Sequence, residues 1–368
     1  MNRKASPPGP ERLSHSESLT PDELALAARN HGMPLEALRW AITPLGLHYL
    51  LTHYDIPEVD PATWALEITG RVARPLRLSL DDLTSRDPRS VTVTMECAGN
   101  GRARFQPRPL SQPWLLEAVG TAEWSGVPLR DVLAEAGPLD DAVEVVFTGL
   151  DRGAEEEGVV EPYERSLPLG EALAGDVLLA HAINGAPLPP QHGFPLRLVV
   201  PGWYGMGNVK WLSRITVVSE PFTGYQNQVA YRLRQTPEEV GSPVTRMEPR
   251  ALMVPPGAPD FFTRRRLLDP GPCALFGRAW SGWAPITGVD VSIDGGATWH
   301  ETTLSDEPAS PYAWWSWTWT WDPSAPGDYE LCCRARDGSG RIQPVEPPWN
   351  LHGFANNAVQ RVPVTVRW

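Results

Sequence analysis

The sequence lacks an excess of positive charge, a membrane-length apolar run and any cysteine framework. A formal net charge of -12 over 368 residues excludes nucleic acid or an anionic membrane surface as the main partner. No stretch of about 18 consecutive apolar residues occurs, which excludes a transmembrane helix of ordinary length. Four cysteines, Cys97, Cys273, Cys332 and Cys333, show neither zinc-type pair spacing nor a disulfide pattern. The adjacent Cys332 and Cys333 would project to opposite faces of a strand and so would not bridge. No C-x-x-C-H haem site, Walker loop, G-x-G-x-x-G turn after a first strand or H-E-x-x-H helix is present. Met1–Pro10 carries Arg3 and Lys4 with no apolar segment behind them. This predicts no secretory leader and, with unpaired thiols, a cytoplasmic compartment, although a mature periplasmic form is compatible.

The length suits two domains with sizeable cores. Residues 1–20 are rich in Pro, Ser and Glu and are expected to be disordered. Thr20-Pro21-Asp22-Glu23 reads as a helix start running to Ala28. Strands are expected at 64–68, 91–95, 143–147, 196–200 and 215–218, and helices at 80–83, 113–118 and 129–136. This irregular mixture predicts an α+β domain over 41–240, behind an N-terminal extension, 1–40, that is partly disordered. Residues 236–263 are punctuated by proline and read as a linker. From Cys273 onward the pattern is all-β, so the unit 241–368 reads as an immunoglobulin-like sandwich, with Asp294-Gly295-Gly296 as a hairpin turn. Trp315, Trp317, Trp319 and Trp321 recur at period two and share one strand face, which suits a sandwich core or subunit interface better than a ligand platform.

Cys97 is the residue with the most chemical meaning. The run Thr94-Met95-Glu96-Cys97-Ala98-Gly99-Asn100-Gly101-Arg102 is a β-branched strand that stops at a thiol, then a small flexible turn and a cation. A neighbouring positive charge favours the thiolate, the metal-binding form. Three polar clusters accompany it: Leu50-Leu51-Thr52-His53-Tyr54, read as an apolar strand ending in polar groups; Phe147 to Asp151, where a strand delivers a carboxylate; and His192 through Arg197 to Asn208-Val209-Lys210. Gly202, Gly205 and Gly207 would leave backbone N–H groups free for an anion, with Arg197 and Lys210 adding charge. Each cluster alone has an ordinary explanation, as a turn cap or a solvated charge. Together they point to an anionic cofactor beside a thiolate-bound metal.

The runs TMECAGNGR (94–102) and HGFPLRLVVPGWYGMGNVKWL (192–212), with the Trp-rich tail, its DGG turn and WN…NN segment, resemble the sulfite oxidase family of molybdopterin oxidoreductases. The resemblance covers roughly residues 40–368. It implies an α+β molybdopterin-binding domain followed by an immunoglobulin-like dimerisation domain. The implied cofactor is molybdenum–molybdopterin with one pyranopterin, and the implied activity is oxygen-atom transfer, foremost oxidation of sulfite to sulfate. By position, Cys97 matches the metal ligand, Arg102 an arginine of the substrate-anion pocket and Tyr231 a tyrosine beside the metal. Thr52, His53, Asp151, His192, Arg197, Asn208, Val209 and Lys210 match pterin and phosphate contacts. The implied partners are a small oxyanion or S/N-oxide, a second copy of the chain, and a separate electron acceptor, a cytochrome or dioxygen.

Two departures bear on the substrate. Leu51 stands where sulfite-oxidising members carry an arginine, and a second arginine expected near Pro285 is absent. Losing a charge-assisted hydrogen bond to a desolvated anion costs about 1.5–3 kcal/mol, or roughly one to two decades in affinity. The alternatives are therefore a reductase of a sulfoxide, N-oxide or nitrate, and a non-catalytic cofactor-binding or interaction protein.

Overall fold

The structure is a computed structural model and describes residues 18–367 except 157, 306 and 324; the expected disorder of residues 1–17 lies outside them. The first helix, Pro21–Arg29, starts as its sequence predicts. Thr20 accepts from the Glu23 N–H, and the Glu23 carboxylate reaches back to the Thr20 N–H. Glu23 also forms a buried ion pair with Arg108. Behind the helix, Met33, Ala37 and Leu38 are fully buried in the main core.

Two five-stranded sheets carry the site. In one, Ala65–Gly70 lies beside Leu76–Ser79 and runs parallel to Leu212–Val218. The latter pairs with Glu144–Glu156, which pairs with Val159–Pro168. In the other, Arg89–Glu96 pairs with Val119–Pro128, which pairs with Leu178–Ile183. Arg197–Val199 and Ala186–Pro187 both join that last strand. Helix Leu129–Ala136 buries Leu129, Val132, Leu133 and Ala136 on one side, the period expected of a helix covering a core.

The C-terminal half is a β-sandwich. Arg250–Met253, Cys273–Trp280, Trp315–Trp321 and Thr303–Leu304 form a four-stranded sheet. It faces a six-stranded sheet whose central members are Gln360–Val366, Gly327–Asp337 and Ile286–Ser292. Trp317 and Trp321 are buried between the sheets, with Trp315 and Trp319 packed beside them. The tryptophan stripe is therefore core. Cys332 and Cys333 are buried and free.

Three sequence expectations fail here. Residues 113–118 form no helix: Cys97 donates to Ala118 O, Ala118 donates to the Asn100 side chain, and Leu116 donates to Glu117. The segment's backbone groups are spent on the Cys97 turn, so no helical ladder forms. Leu50–Tyr54 is not a strand; its one bridge is Leu50 with His31, while Thr52 donates to Asn30 and Lys210 to Leu51 O. Residues 236–263 are not a bare linker, because Arg250–Met253 is a fully buried strand paired with Cys273–Trp280.

The halves are joined by a buried charge. The Glu96 carboxylate accepts from Arg250, from Trp280 Nε1 at 2.9 Å and from Asn100 Nδ2 at 3.0 Å. Breaking a buried pair by removing one partner strands the other charge, at about 3–5 kcal/mol. Glu96→Ala or Arg250→Ala should each lower unfolding free energy by about that much, while the double variant should cost less than the sum. Denaturant titration of the four proteins measures it.

Candidate active site

Cys97 closes strand Arg89–Glu96 and begins a turn held from several sides. Asn100 N–H donates to Cys97 O and Arg102 N–H to Gly99 O. Gly101 has φ +88°, a left-handed conformation open to glycine. A Cβ there would meet Asn356 at 3.0 Å, and Asn356 Nδ2 itself donates to Gly101 O at 2.7 Å. The Arg102 guanidinium lies so close over Gly99 that a Cβ would meet it at 2.7 Å. Arg102 Nε donates to His352 O at 2.8 Å, and Nη1 to Ser111 Oγ and Gln112 O at 3.2 Å. Its Nη2 makes no hydrogen bond among the described residues.

Two cavities meet at Cys97. The inner one encloses about 80 Å³ and is lined by His48, Tyr49, Met95, Asp151, Tyr163, His192, Arg197, Gly205, Asn208 and Lys210, among others. The outer one encloses about 450 Å³ and is walled by Arg102, Leu51, Thr52, Trp114, Glu155, Val229, His352 and Phe354, among others. His53, Leu51, Cys97 and Tyr231 line both.

The inner cavity is charged but incompletely paired. Arg197 is buried, donates to His192 O and Asn208 O, and lies 4.5 Å over the Trp124 ring, yet its Nε has no partner. Burial lowers Arg197 to about 10. Lys210 Nζ donates to Leu51 O and Gln191 O, and burial with the Arg197 charge lowers it to about 7. Asp151 Oδ1 has no partner, and burial raises that carboxyl to about 6 against the pull of Lys210. His48 and His192 meet edge to face at 5.6 Å, both kept neutral chiefly by burial, His48 lowered to about 4 and His192 to about 2.

Most of the predicted residues converge. Cys97, His53, Asp151, His192, Arg197, Asn208, Lys210 and Tyr231 line the inner cavity, and Thr52 and Arg102 line the outer one. Val209 does not; its side chain packs in the main core, because alternation along that segment turns it inward. Asn208 spends its side chain on Val200 N–H and Tyr204 O. Of the three glycines, Gly205 alone lines the cavity, and Gly207 N–H is bonded to Tyr204 O. Burial raises the Cys97 thiol and outweighs the opposing pull of Arg102. The site's electrostatics alone therefore do not make the thiolate; a soft metal would. Pro285 lines neither cavity, and the C-terminal half contributes His352 and Phe354 instead. His352 lies inside the WN…NN segment. No sequence pattern points to Tyr49, Tyr163 or Arg165, and Arg165 lies 5.4 Å over the Tyr231 ring.

The donor set fits a pyranopterin-bound metal. Among the described residues no group of three or more His, Cys, Asp or Glu could hold an ion, so a metal on Cys97 would take its other donors from a bound organic ligand. The unpartnered Asp151 Oδ1 suits a ring N–H, and Arg197 and Lys210 suit a phosphate. A single thiol beside a cation-bearing cavity fits a cofactor-dependent oxidoreductase. The profile described as the oxidoreductase molybdopterin binding domain matches residues 53–226, and the Mo-co oxidoreductase dimerisation domain matches 254–367. The chain is 38% identical to sulfite oxidase of Gallus gallus over 348 residues, covering 87% of this chain and 72% of that protein. It is 34% identical to sulfite oxidase of Arabidopsis thaliana, covering 87% of each. The sulfane dehydrogenase SoxCD structure from Paracoccus pantotrophus superposes with a TM-score of 0.79 at 26% identity, over 97% of this chain and 90% of that one. The chain belongs to the sulfite oxidase family of molybdenum-cofactor oxidoreductases, and its cofactor is molybdenum–molybdopterin.

Lys210 gives a test of the cofactor-free protein. Its folded value lies below its unfolded one, so between pH 7 and 10 the unfolded chain holds the extra proton and stability rises with pH. Lys210→Met should flatten that rise, stabilise the cofactor-free chain at pH 7 by on the order of 3 kcal/mol and weaken cofactor retention. Denaturant midpoints across pH, beside molybdenum content, measure all three.

Proposed function

We propose that this chain oxidises sulfite or a related sulfur oxyanion, with Cys97 as metal ligand and Arg102 and Tyr231 as the groups facing substrate. The observation that carries the proposal is the position of Cys97 where a cavity lined by buried Arg197 and Lys210 meets a second one walled by a fixed arginine, Arg102. When bound, the cofactor supplies oxygen-atom transfer with a two-electron change at the metal, chemistry that belongs to the cofactor rather than to the protein.

The residues divide the remaining work. Asp151, His192, Arg197 and Lys210 hold the organic part and its phosphate, with Thr52 and His53 at the mouth and the Asn208–Lys210 segment behind. Arg102 is preorganised by its three hydrogen bonds and directs its remaining N–H edge at an anion. Tyr231 is stacked on Phe354 at 5.1 Å and raised to about 12 by burial. It keeps its proton at Oη and donates it as a hydrogen bond. Residues 41–240 form the cofactor domain and 241–368 the domain through which two copies pair, as the dimerisation profile supports. Electrons leave to a separate carrier, a cytochrome or dioxygen.

The test is metal analysis of the wild type and Cys97→Ser, with steady-state assay on sulfite and an artificial acceptor. Wild type should carry about one molybdenum per chain and oxidise sulfite, and Cys97→Ser should lose both. Arg102→Met should raise the sulfite KM by roughly 10–100-fold. Wild type without molybdenum from cofactor-competent cells would overturn the proposal.

A further inference from the structure

The outer cavity is large and poorly charged for sulfite. It encloses about 450 Å³, whereas a four-atom oxyanion needs roughly that of two waters, each about 30 Å³. Its walls include Leu51, Leu110, Trp114, Val229 and Phe354. Tyr231 and His352 each stack on Phe354, with centroids 5.1 and 5.7 Å apart. Arg102 lies 5.0 Å over the middle ring.

The charge count is equally specific. Arg102 is the one cation lining the cavity among the described residues, and Glu155 lines it as well. The Glu155 carboxylate accepts from His53, Tyr54 and Gln226. A dianion would meet one guanidinium and one carboxylate, and the cost of a desolvated, uncompensated charge is high. A monoanion pairs with Arg102 and places one charge fewer against Glu155 than a dianion does. His352 also lines the cavity, and its Nε2, like Thr52 Oγ1, is buried without a partner. Burial lowers His352 to about 4, so it offers a hydrogen bond without adding charge.

On the strength of the proposed function, we infer that the preferred substrate is an organic sulfinate, R–SO2−, whose hydrocarbon group occupies the apolar wall. Its two oxygens answer Arg102 Nη2 and His352 Nε2, and its sulfur keeps the lone pair that sulfite also has. The reaction is R–SO2− + H2O → R–SO3− + 2 H+ + 2 e−. One S–O bond forms at the sulfur lone pair, and water loses both O–H protons to solvent. Two successive one-electron acceptors, a haem protein or ferricyanide, take the electrons. Leu51 is then a specificity residue, giving up charge in exchange for apolar contact.

The experiment compares benzenesulfinate with sulfite on molybdenum-loaded holoenzyme with ferricyanide. It also compares calorimetric binding of benzenesulfonate with that of sulfate, a readout independent of turnover. The sulfinate should exceed sulfite in kcat/KM by at least tenfold, and the sulfonate should bind at least tenfold tighter than sulfate. Leu51→Arg and His352→Arg should each shift both ratios toward the inorganic ion. Wild type that oxidises sulfite, ignores the sulfinate and binds sulfate at least as tightly overturns the inference and leaves the proposed function standing. Loaded enzyme that oxidises neither overturns both.

Discussion

A carboxylate with almost no contact with water organises this protein. Glu96 immediately precedes Cys97, the proposed metal ligand, and the Arg250 ion pair ties it to the first strand of the C-terminal sandwich. Arg250 also donates to Asn356 O at 2.5 Å, and Asn356 donates to Gly101 O at 2.7 Å. The Cys97 turn is thus gripped from both ends by groups that lie far away in sequence. A buried ion pair is seldom a net source of stability, but it penalises every arrangement that leaves either charge alone. Here that penalty fixes where the thiol sits. It also explains why the C-terminal half is part of the site: Asn356, His352 and Phe354 come from the same segment.

Around that fixed point the two cavities hold opposite electrostatic bargains. The inner one gathers buried cations and leaves Arg197 Nε and Asp151 Oδ1 unpartnered. Without a ligand these groups destabilise the fold; with a phosphate-bearing ligand they are satisfied, so cofactor binding and folding are coupled. Apart from Lys4, Lys210 is the only lysine in the chain, and it is the residue at which a charge can be given up and regained. The outer cavity instead sets a single, rigid arginine among aromatic and aliphatic walls. The first arrangement suits retention of a cofactor, and the second suits selection of what approaches it.

Much of this was legible in the sequence where chemistry and local pattern coincided. The helix at Pro21 was written in its capping residues, the sandwich in its alternation, and the thiol in a strand that ends on small residues. The cavity residues could be collected only through resemblance, since His53, Asp151, His192 and Lys210 are separated by folds of chain that no periodicity links. The helix expected over 113–118 failed because its backbone is claimed by the Cys97 turn, a tertiary event that local propensity does not encode. Pro285 was the wrong place to seek the C-terminal contribution. His352 reaches the cavity because Asn350 and Asn356 fold its segment back onto Gly101 and Phe354, and nothing in the composition of that stretch announces it.

The central claim is that one atom, Cys97 Sγ, holds a redox metal between a cofactor cavity and a substrate cavity. The most direct measurement is crystallographic anomalous scattering at the molybdenum edge on the purified holoenzyme. A single strong peak per chain is expected, bonded to Cys97 Sγ, with density for the organic ligand running inward toward Asp151, Arg197 and Lys210. A peak elsewhere, or ligand density filling the outer cavity beside Arg102 and Phe354 instead, would contradict it.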